Sequence, residues 1–216
     1  MLQHLPAEEA ERVIRGSRRH RYAAGQVIFH EDDPGDSMHV ILSGRVAVLV
    51  THPLGQQLTY QIMGEGGLVG ELSLLMPGGR RSATVQALEA TETLAIGRRE
   101  FERLLREHPP VSLLLVRLLT DHVLRLSERL REMLYLPVEA RIRRRLIDVA
   151  QTYGGVAAGT VVRLRQDDLA SLSGAARATV NRVLRQDAID GIVALERRRV
   201  IILDAERLRR RARLDD

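Results

Sequence analysis

Through the first hundred residues, apolar and polar positions alternate in short bursts broken by glycine. In GQVIFHEDDPGDSMHVILSGRVAVLV, residues 27–29, 39–42 and 46–50 read as strands. Asp33-Pro34-Gly35-Asp36 and Ser43-Gly44 read as turns between them. QLTYQIM, SATVQAL and ETLAIG continue the pattern, and many short strands at about ten-residue spacing predict an antiparallel barrel or roll. Residues 6–15 predict a helix with acids in its first turn. From Pro109 the period changes. Val116, Leu119, Val123, Leu126, Leu130 and Met133 follow heptad a and d spacing, and Leu113, Leu114, Leu115 and Leu118 add a second stripe. The spacing predicts a long helix over about 109–134 that packs on the roll and pairs with its twin in a homodimer; a helix buried wholly within a monomer is the alternative. Pro137 stops it, because proline lacks the backbone donor and clashes with the preceding turn. A new helix is predicted over 138–153, flanked by Arg141, Arg143, Arg144 and Arg145 and ended by Gly154-Gly155.

The last third carries a different pattern. Gln166-Asp167-Asp168 supplies a helix start, Leu169, Ala170 and Leu172 a short buried face, and Gly174 a tight turn. A second helix over 176–187 turns Val180, Val183 and Leu184 inward. Arg177, Ala178, Asn181, Arg182 and Arg185 are left along its outer side. A helix in a DNA major groove reads bases near its N-terminus, and arginine can bond guanine O6 and N7 together. Residues 192–195 and 200–203, with a charged tip between them, predict a two-stranded wing. The fold class expected is α+β in three parts. They are a β-roll over 1–108, a dimerisation helix and hinge over 109–136, and a winged helix-turn-helix over 137–216.

Charge sharpens this division. All 33 basic residues are arginine and the net charge is +5. Residues 1–136 hold 16 Arg and 17 acids, whereas residues 137–216 hold 17 Arg and 11 acids, a net of +6. A basic module beside a near-neutral one fits the footprint of nucleic-acid binding, and an arginine-rich solvated surface fits the charge as well; with the helix pair and wing, the reading is double-stranded DNA. The absence of cysteine removes thiolate metal sites, Fe–S clusters and disulfides. The seven histidines show no pairing suited to haem and read as surface or turn residues, so no metal ligand is expected. No Ser, His or Cys constellation with a supporting base suggests a catalytic residue. The apolar runs are too short to span a bilayer and the N-terminus is unlike a signal peptide, which predicts a cytoplasmic protein without membrane contact.

In GELSLLMPGGRRSATV, residues 70–85, a carboxylate, a guanidinium and a hydroxyl fall on one loop as Glu71, Arg81 and Ser82. They suit a grip on something small, polar and negative; solvated charges flanking a hairpin fit the spacing as well. With the DNA-reading helix, this stretch resembles the Crp/Fnr regulators, and the likeness covers nearly the whole chain in order. Gly70-Glu71-Leu72-Ser73 followed by Arg81-Ser82-Ala83 is similar to that family's phosphate-binding cassette. Arg177-x-Thr179-Val180-x-Arg182 is similar to its reading helix. The resemblance implies a transcription regulator controlled by cyclic AMP, with RNA polymerase as a further partner. It places Arg81 and Ser82 on the phosphate, the amides near Ser73 beside it if residues 71–75 form a short helix, and Glu71 on the ribose 2′-hydroxyl. The family's Thr-Ser pair on the dimer helix, which contacts adenine, is Leu126-Ser127 here, leaving Ser127 as the base contact. The acid common between the reading helix's arginine and threonine is Ala178, which implies a changed operator preference. Ligand-independent DNA binding with a vestigial nucleotide pocket is the alternative.

Overall fold

The protein is described here by a computed structural model covering residues 6–51, 55, 57–76 and 78–213. Chain contacts divide it into two compact units. One runs to Gln57 and resumes over Met63–Leu126; the other comprises Leu58–Ile62 and the chain from Ser127 onward.

The first unit opens with α1 (Ala7–Gly16), then β1 (Arg18–Tyr22), β2 (Val27–Phe29), β3 (Ser37–Ser43), β4 (Val46–Thr51) and, after β5 (Gln57–Met63), whose residues 58–62 are the segment assigned to the second unit, β6 (Leu68–Val69). It continues with α2 (Glu71–Leu75), β7 (Thr84–Ala87), β8 (Thr91–Gly97), α3 (Arg98–Glu107) and the start of α4 (Pro109–Tyr135). Two four-stranded sheets result, in the orders β1-β8-β3-β6 and β2-β7-β4-β5. The β1–β8, β3–β8, β3–β6, β2–β7 and β4–β7 pairings are antiparallel, as a roll requires. β3 shows why alternation breaks down in the centre. Met38 and Val40 join a cluster with Leu94, Ile96, Phe101, Leu104, Val111 and Leu115. Ile41, on the opposite face, joins Val46, Val69 and Val85. A strand covered on both sides reads as a continuous apolar run.

His39 corrects the expectation that every histidine is a surface or turn residue. It shares the parity of Ile41 and is only 6% exposed. Its Nδ1 lies 3.0 Å from Thr93 Oγ1, and its ring lies against Phe29 and His20. Burial, followed by the nearby Arg81 and His20 charges, lowers its pKa to about 4.

Three elements of this unit lie beyond the apolar bursts. β1, RRHRY, is an edge strand whose exposed arginines discourage further pairing; Arg19 and Arg21 meet Glu92 on β8. β6 is two residues long. α3 buries only Phe101 and Leu104 and follows β8 directly. The proline of the expected Pro-Gly-Gly turn, Pro77, lies outside the described residues.

The second unit contains the last turns of α4, then α5 (Val138–Gln151), β9 (Val161–Val162), α6 (Gln166–Ser173), α7 (Arg177–Ile189), β10 (Val193–Glu196), β11 (Arg199–Ile202) and α8 (Ala205–Arg211). The wing has a third strand, in the order β10-β11-β9. Ile142, Leu146, Leu169, Val180, Leu184, Ile192, Ile202 and Leu208 form the buried interior. Arg143 and Arg145, expected on the flank of α5, are instead buried. Arg143 donates two bonds to the fully buried Asp187, at 2.8 and 2.9 Å, and Arg145 pairs with Glu132 and Asp148. A buried guanidinium demands such partners, because an unpaired charge in the interior is strongly destabilising.

Candidate nucleotide cassette and nucleic-acid interface

In the first unit the cassette is built where β6 turns into α2. Gly70 caps α2 in the left-handed conformation, φ 84°. A Cβ there would lie 2.4 Å from Arg81 Nη1, so both backbone conformation and close approach require glycine. Arg81 is 4% exposed and lies over the Phe29 ring at 4.1 Å. Its Nη1 donates to the Ser37 carbonyl at 2.5 Å, to Ser73 Oγ at 3.0 Å and to the Gly70 carbonyl at 3.2 Å. Nη2 makes one long bond, 3.3 Å to Ser37 Oγ, and Nε is buried without a partner. The Nε–Nη2 edge is one of those through which a guanidinium makes two parallel bonds to an oxyanion. Here it is the edge with capacity left.

Ser73 is buried and donates to the Gly70 carbonyl at 2.8 Å while accepting from Arg81, which fixes the arginine against the helix start. Glu71 and Leu72 are half-buried, Ala83 is buried and Ser82 is exposed. Burial raises the Glu71 pKa; its own backbone N–H and Arg81 oppose the rise. Arg81 bonds to Ser37, Gly70 and Ser73 rather than to Glu71, so the pair is not a surface ion pair closing on itself. Sequence reasoning missed Phe29, Ser37 and Arg98. Arg98 donates to the Leu74, Gly35 and Ser73 carbonyls at 3.0–3.1 Å and so holds the end of α2 and the 35-turn together. Nothing in the sequence separates Arg98 from thirty-two other arginines. Phe29, one of only two phenylalanines, was a faint signal. Ser127 is exposed on α4 and belongs to the second unit.

The second unit carries the helix expected to read DNA, α7. α6 ends at Gly174, left-handed at φ 62°, and the Ala175 N–H returns to the Ala170 carbonyl at 3.0 Å. α7 then starts at Arg177 with Val180, Val183 and Leu184 buried. Arg177, Ala178, Arg182 and Arg185 are exposed; Thr179 and Asn181 are half-buried. Three of these side chains are held by neighbours. Arg177 lies 3.3 Å from Asp167, Asn181 donates to Gln166 at 3.0 Å, and Arg182 donates to Glu139 at 2.9 Å. Arg165, Gln166, Asp167 and Arg177 also line a groove completed by Glu196, Arg198 and Arg199 of the wing. Four arginines against two acids, Asp167 and Glu196, leave the groove a net positive charge, which suits a phosphate backbone beside a read base step.

α4 carries the third feature. Val116, Val123, Leu126, Leu130 and Met133 are all exposed in the single chain, with Leu113, Leu124 and Leu134 beside them. Of the second predicted stripe only Leu115 is buried, together with Val111; Leu114 is half-buried and Leu113 and Leu118 are exposed.

Among the described residues no helix is long and apolar enough to cross a membrane, and no cluster of His, Cys, Asp or Glu suits a metal ion.

Comparison with known proteins follows the same division. Residues 19–108 match the cyclic nucleotide-binding domain family, and residues 140–211 match the Crp-like helix-turn-helix domain. The CRP-like cAMP-activated global transcriptional regulator of Mycobacterium tuberculosis is 33% identical over 195 residues, covering 89% of this chain and 87% of that protein. The catabolite activator protein structure from Thermus thermophilus shares 32% identity with a TM-score of 0.55, covering 98% of this chain and 97% of that one. The structure of the c-di-GMP responsive global regulator CLP from Xanthomonas campestris superposes with a TM-score of 0.76 at 24% identity, over 92% of this chain and 99% of that one. That last likeness concerns the fold. The cyclic nucleotide-binding domain followed in chain order by the Crp-like helix-turn-helix domain, with a relative alike over both, makes this chain a member of the Crp family of cyclic nucleotide-binding transcription regulators.

Proposed function

We propose that the protein is a homodimer that binds cyclic AMP and, in response, a two-fold-symmetric DNA operator. The observation that carries this reading is Arg81, a buried guanidinium whose Nε lacks a partner and whose Nη2 makes only one long bond. A buried donor without an acceptor costs about 1–3 kcal/mol, and an anion supplying two oxygens would remove that cost. The residues present fit a cyclic nucleotide. Arg81 would take the phosphate, with Ser82 and the backbone at Ser73 beside it; Glu71, a carboxylate, would take a hydroxyl rather than the phosphate. The name of the mycobacterial relative, a cAMP-activated regulator, supports cyclic AMP among cyclic nucleotides.

The ligand shifts a population of dimer arrangements by its difference in affinity for them, and the operator selects the same arrangement. Two reading helices then meet half-sites one turn apart, about 34 Å. Family membership supports RNA polymerase as a further partner.

The test is operator binding titrated with cyclic AMP, cyclic GMP and cyclic di-GMP, on DNA enriched by the protein from a random library. Tightening by cyclic AMP alone is expected. Unchanged operator affinity, with no heat on mixing cyclic AMP and protein, would instead make it a ligand-independent member with a vestigial pocket.

A further inference from the structure

The arginine best placed to read a base is met by a carboxylate from outside its own helix. Glu139, in the first turn of α5, accepts a hydrogen bond from Nη2 of Arg182 at 2.9 Å. Both side chains face solvent, Arg182 at 65% and Glu139 at 36% exposure, so the pair sits on the reading surface rather than beneath it. α7 supplies no acid of its own there. Its first turn has none, its outward position 178 is alanine, and its one acid, Asp187, is buried against Arg143 and Arg211.

Arg182 has five N–H donors, and Glu139 occupies one. The remaining donors still offer two parallel bonds to guanine O6 and N7. A free arginine loses much rotamer freedom when it commits to a base, whereas one held by a carboxylate on a neighbouring helix has already lost part of it. A bare carboxylate on this face does something different: it repels phosphates and lowers affinity for all sequences alike.

We propose that Glu139 is a positioning residue for base selectivity, holding Arg182 by one nitrogen and directing the rest of the guanidinium at a guanine. The inference rests on the DNA-binding reading above and deepens it.

The experiment compares the wild type with E139Q, E139S, R182A and the double variant E139S/R182A. Each is measured by fluorescence anisotropy against the wild-type operator and a panel of its single-base variants. Serine suits a helix start but is too short to reach Arg182, and glutamine keeps an acceptor oxygen. E139S should reduce discrimination by about fivefold or more at the base pair where R182A does, and nowhere else. E139Q should keep most of that discrimination, and E139S should take away nothing further once Arg182 is gone. An equal change of affinity on every panel member, or additive effects of E139S and R182A, would overturn the proposal and leave Glu139 a brake on phosphate contact. A uniform loss for E139S together with a lowered melting temperature would overturn it as well, in favour of a purely structural role. Failure of the DNA-binding reading is visible earlier, since the wild type would then enrich no sequence from the random library.

Discussion

Arg81 is held on one side and left open on the other, and that asymmetry makes it the most informative side chain to change. R81A should weaken cyclic nucleotide binding by more than about tenfold, because a charge-assisted bond contributes roughly 1.5–3 kcal/mol. Calorimetry checks this, and unchanged affinity would reject the assignment. R81K should not restore binding, since an ammonium is a point charge without the planar edge. His39 makes a separate prediction. Its folded pKa, about 4, lies below the ordinary 6.5, so between these values the unfolded chain binds more protons than the folded one. Its contribution to stability is complete above pH 6.5 and declines as pH falls to about 4, by on the order of 3 kcal/mol. Denaturant unfolding of H39Q should therefore show a shallower loss over that window than the wild type; equal slopes would mean the ring is not kept neutral by burial. Both residues bear on what sequence discloses at this scale. Glu71, Arg81 and Ser82 stood out as a carboxylate, a guanidinium and a hydroxyl on one loop, whereas Gly70 and Ser73 were pointed to only by the family resemblance. Ser37 and Arg98 were not legible, because their roles arise from bonds across 44 and 63 positions. His39 was misjudged as a surface residue although strand parity with Ile41 already pointed it inward.

At the level of elements, apolar periodicity disclosed what had an apolar face and little else. The predicted long helix is α4, and the helix pair and wing lie within a few residues of their expected places. β1 escaped because its five residues include three arginines and a histidine, and it gains its stability as an edge partner of β8 rather than from an apolar face. β9 and α8 escaped for a related reason: two residues and seven are too few to show a period. α4 itself leads to a prediction. Five of its six heptad positions are exposed in the single chain, with Val116, Val123, Leu130 and Met133 each near 60% and Leu126 at 41%, while Leu119 is half-buried. A row of five apolar side chains at a and d spacing is stable in water only when another surface covers it. L126D places a charge in the middle of that row, where a twin helix would have to desolvate it. Sedimentation should show the wild type as a dimer and L126D as a monomer with unchanged helicity. A dimer that survives the change would mean that the stripe is not the seam.

Across the whole molecule, charge is divided more sharply than shape. The net excess lies after residue 136, yet several of those arginines are already committed inside the second unit. Arg143 and Arg211 serve the buried Asp187, and Arg144 and Arg145 serve Glu132, which itself is 6% exposed near the end of α4. Glu132 thereby ties the last turns of α4 to α5 across Leu136 and Pro137, so these two helices meet at a braced corner. Guanidinium groups bound to buried carboxylates cannot also neutralise phosphate, so counting arginines overstates the electrostatic reach of the reading face. The groove arginines are only partly committed: Arg165 meets the buried Asp168 at 3.2 Å and Arg199 lies 3.7 Å from Glu196, yet both stay exposed and border the groove beside α7 with Arg198. DNA affinity should fall linearly on a log–log plot against salt, with a slope set by the phosphates these groups contact, about 0.9 for each. R198A should lower the magnitude of that slope by about 0.9 for each half-site it serves while leaving base discrimination intact. R182A should do the reverse, costing about 1–3 kcal/mol at one base pair with little change in slope. Anisotropy titrations at several salt concentrations separate the two. If R198A instead altered discrimination at one base pair and left the slope alone, the wing would read sequence and the division between positioning wing and reading helix would be wrong.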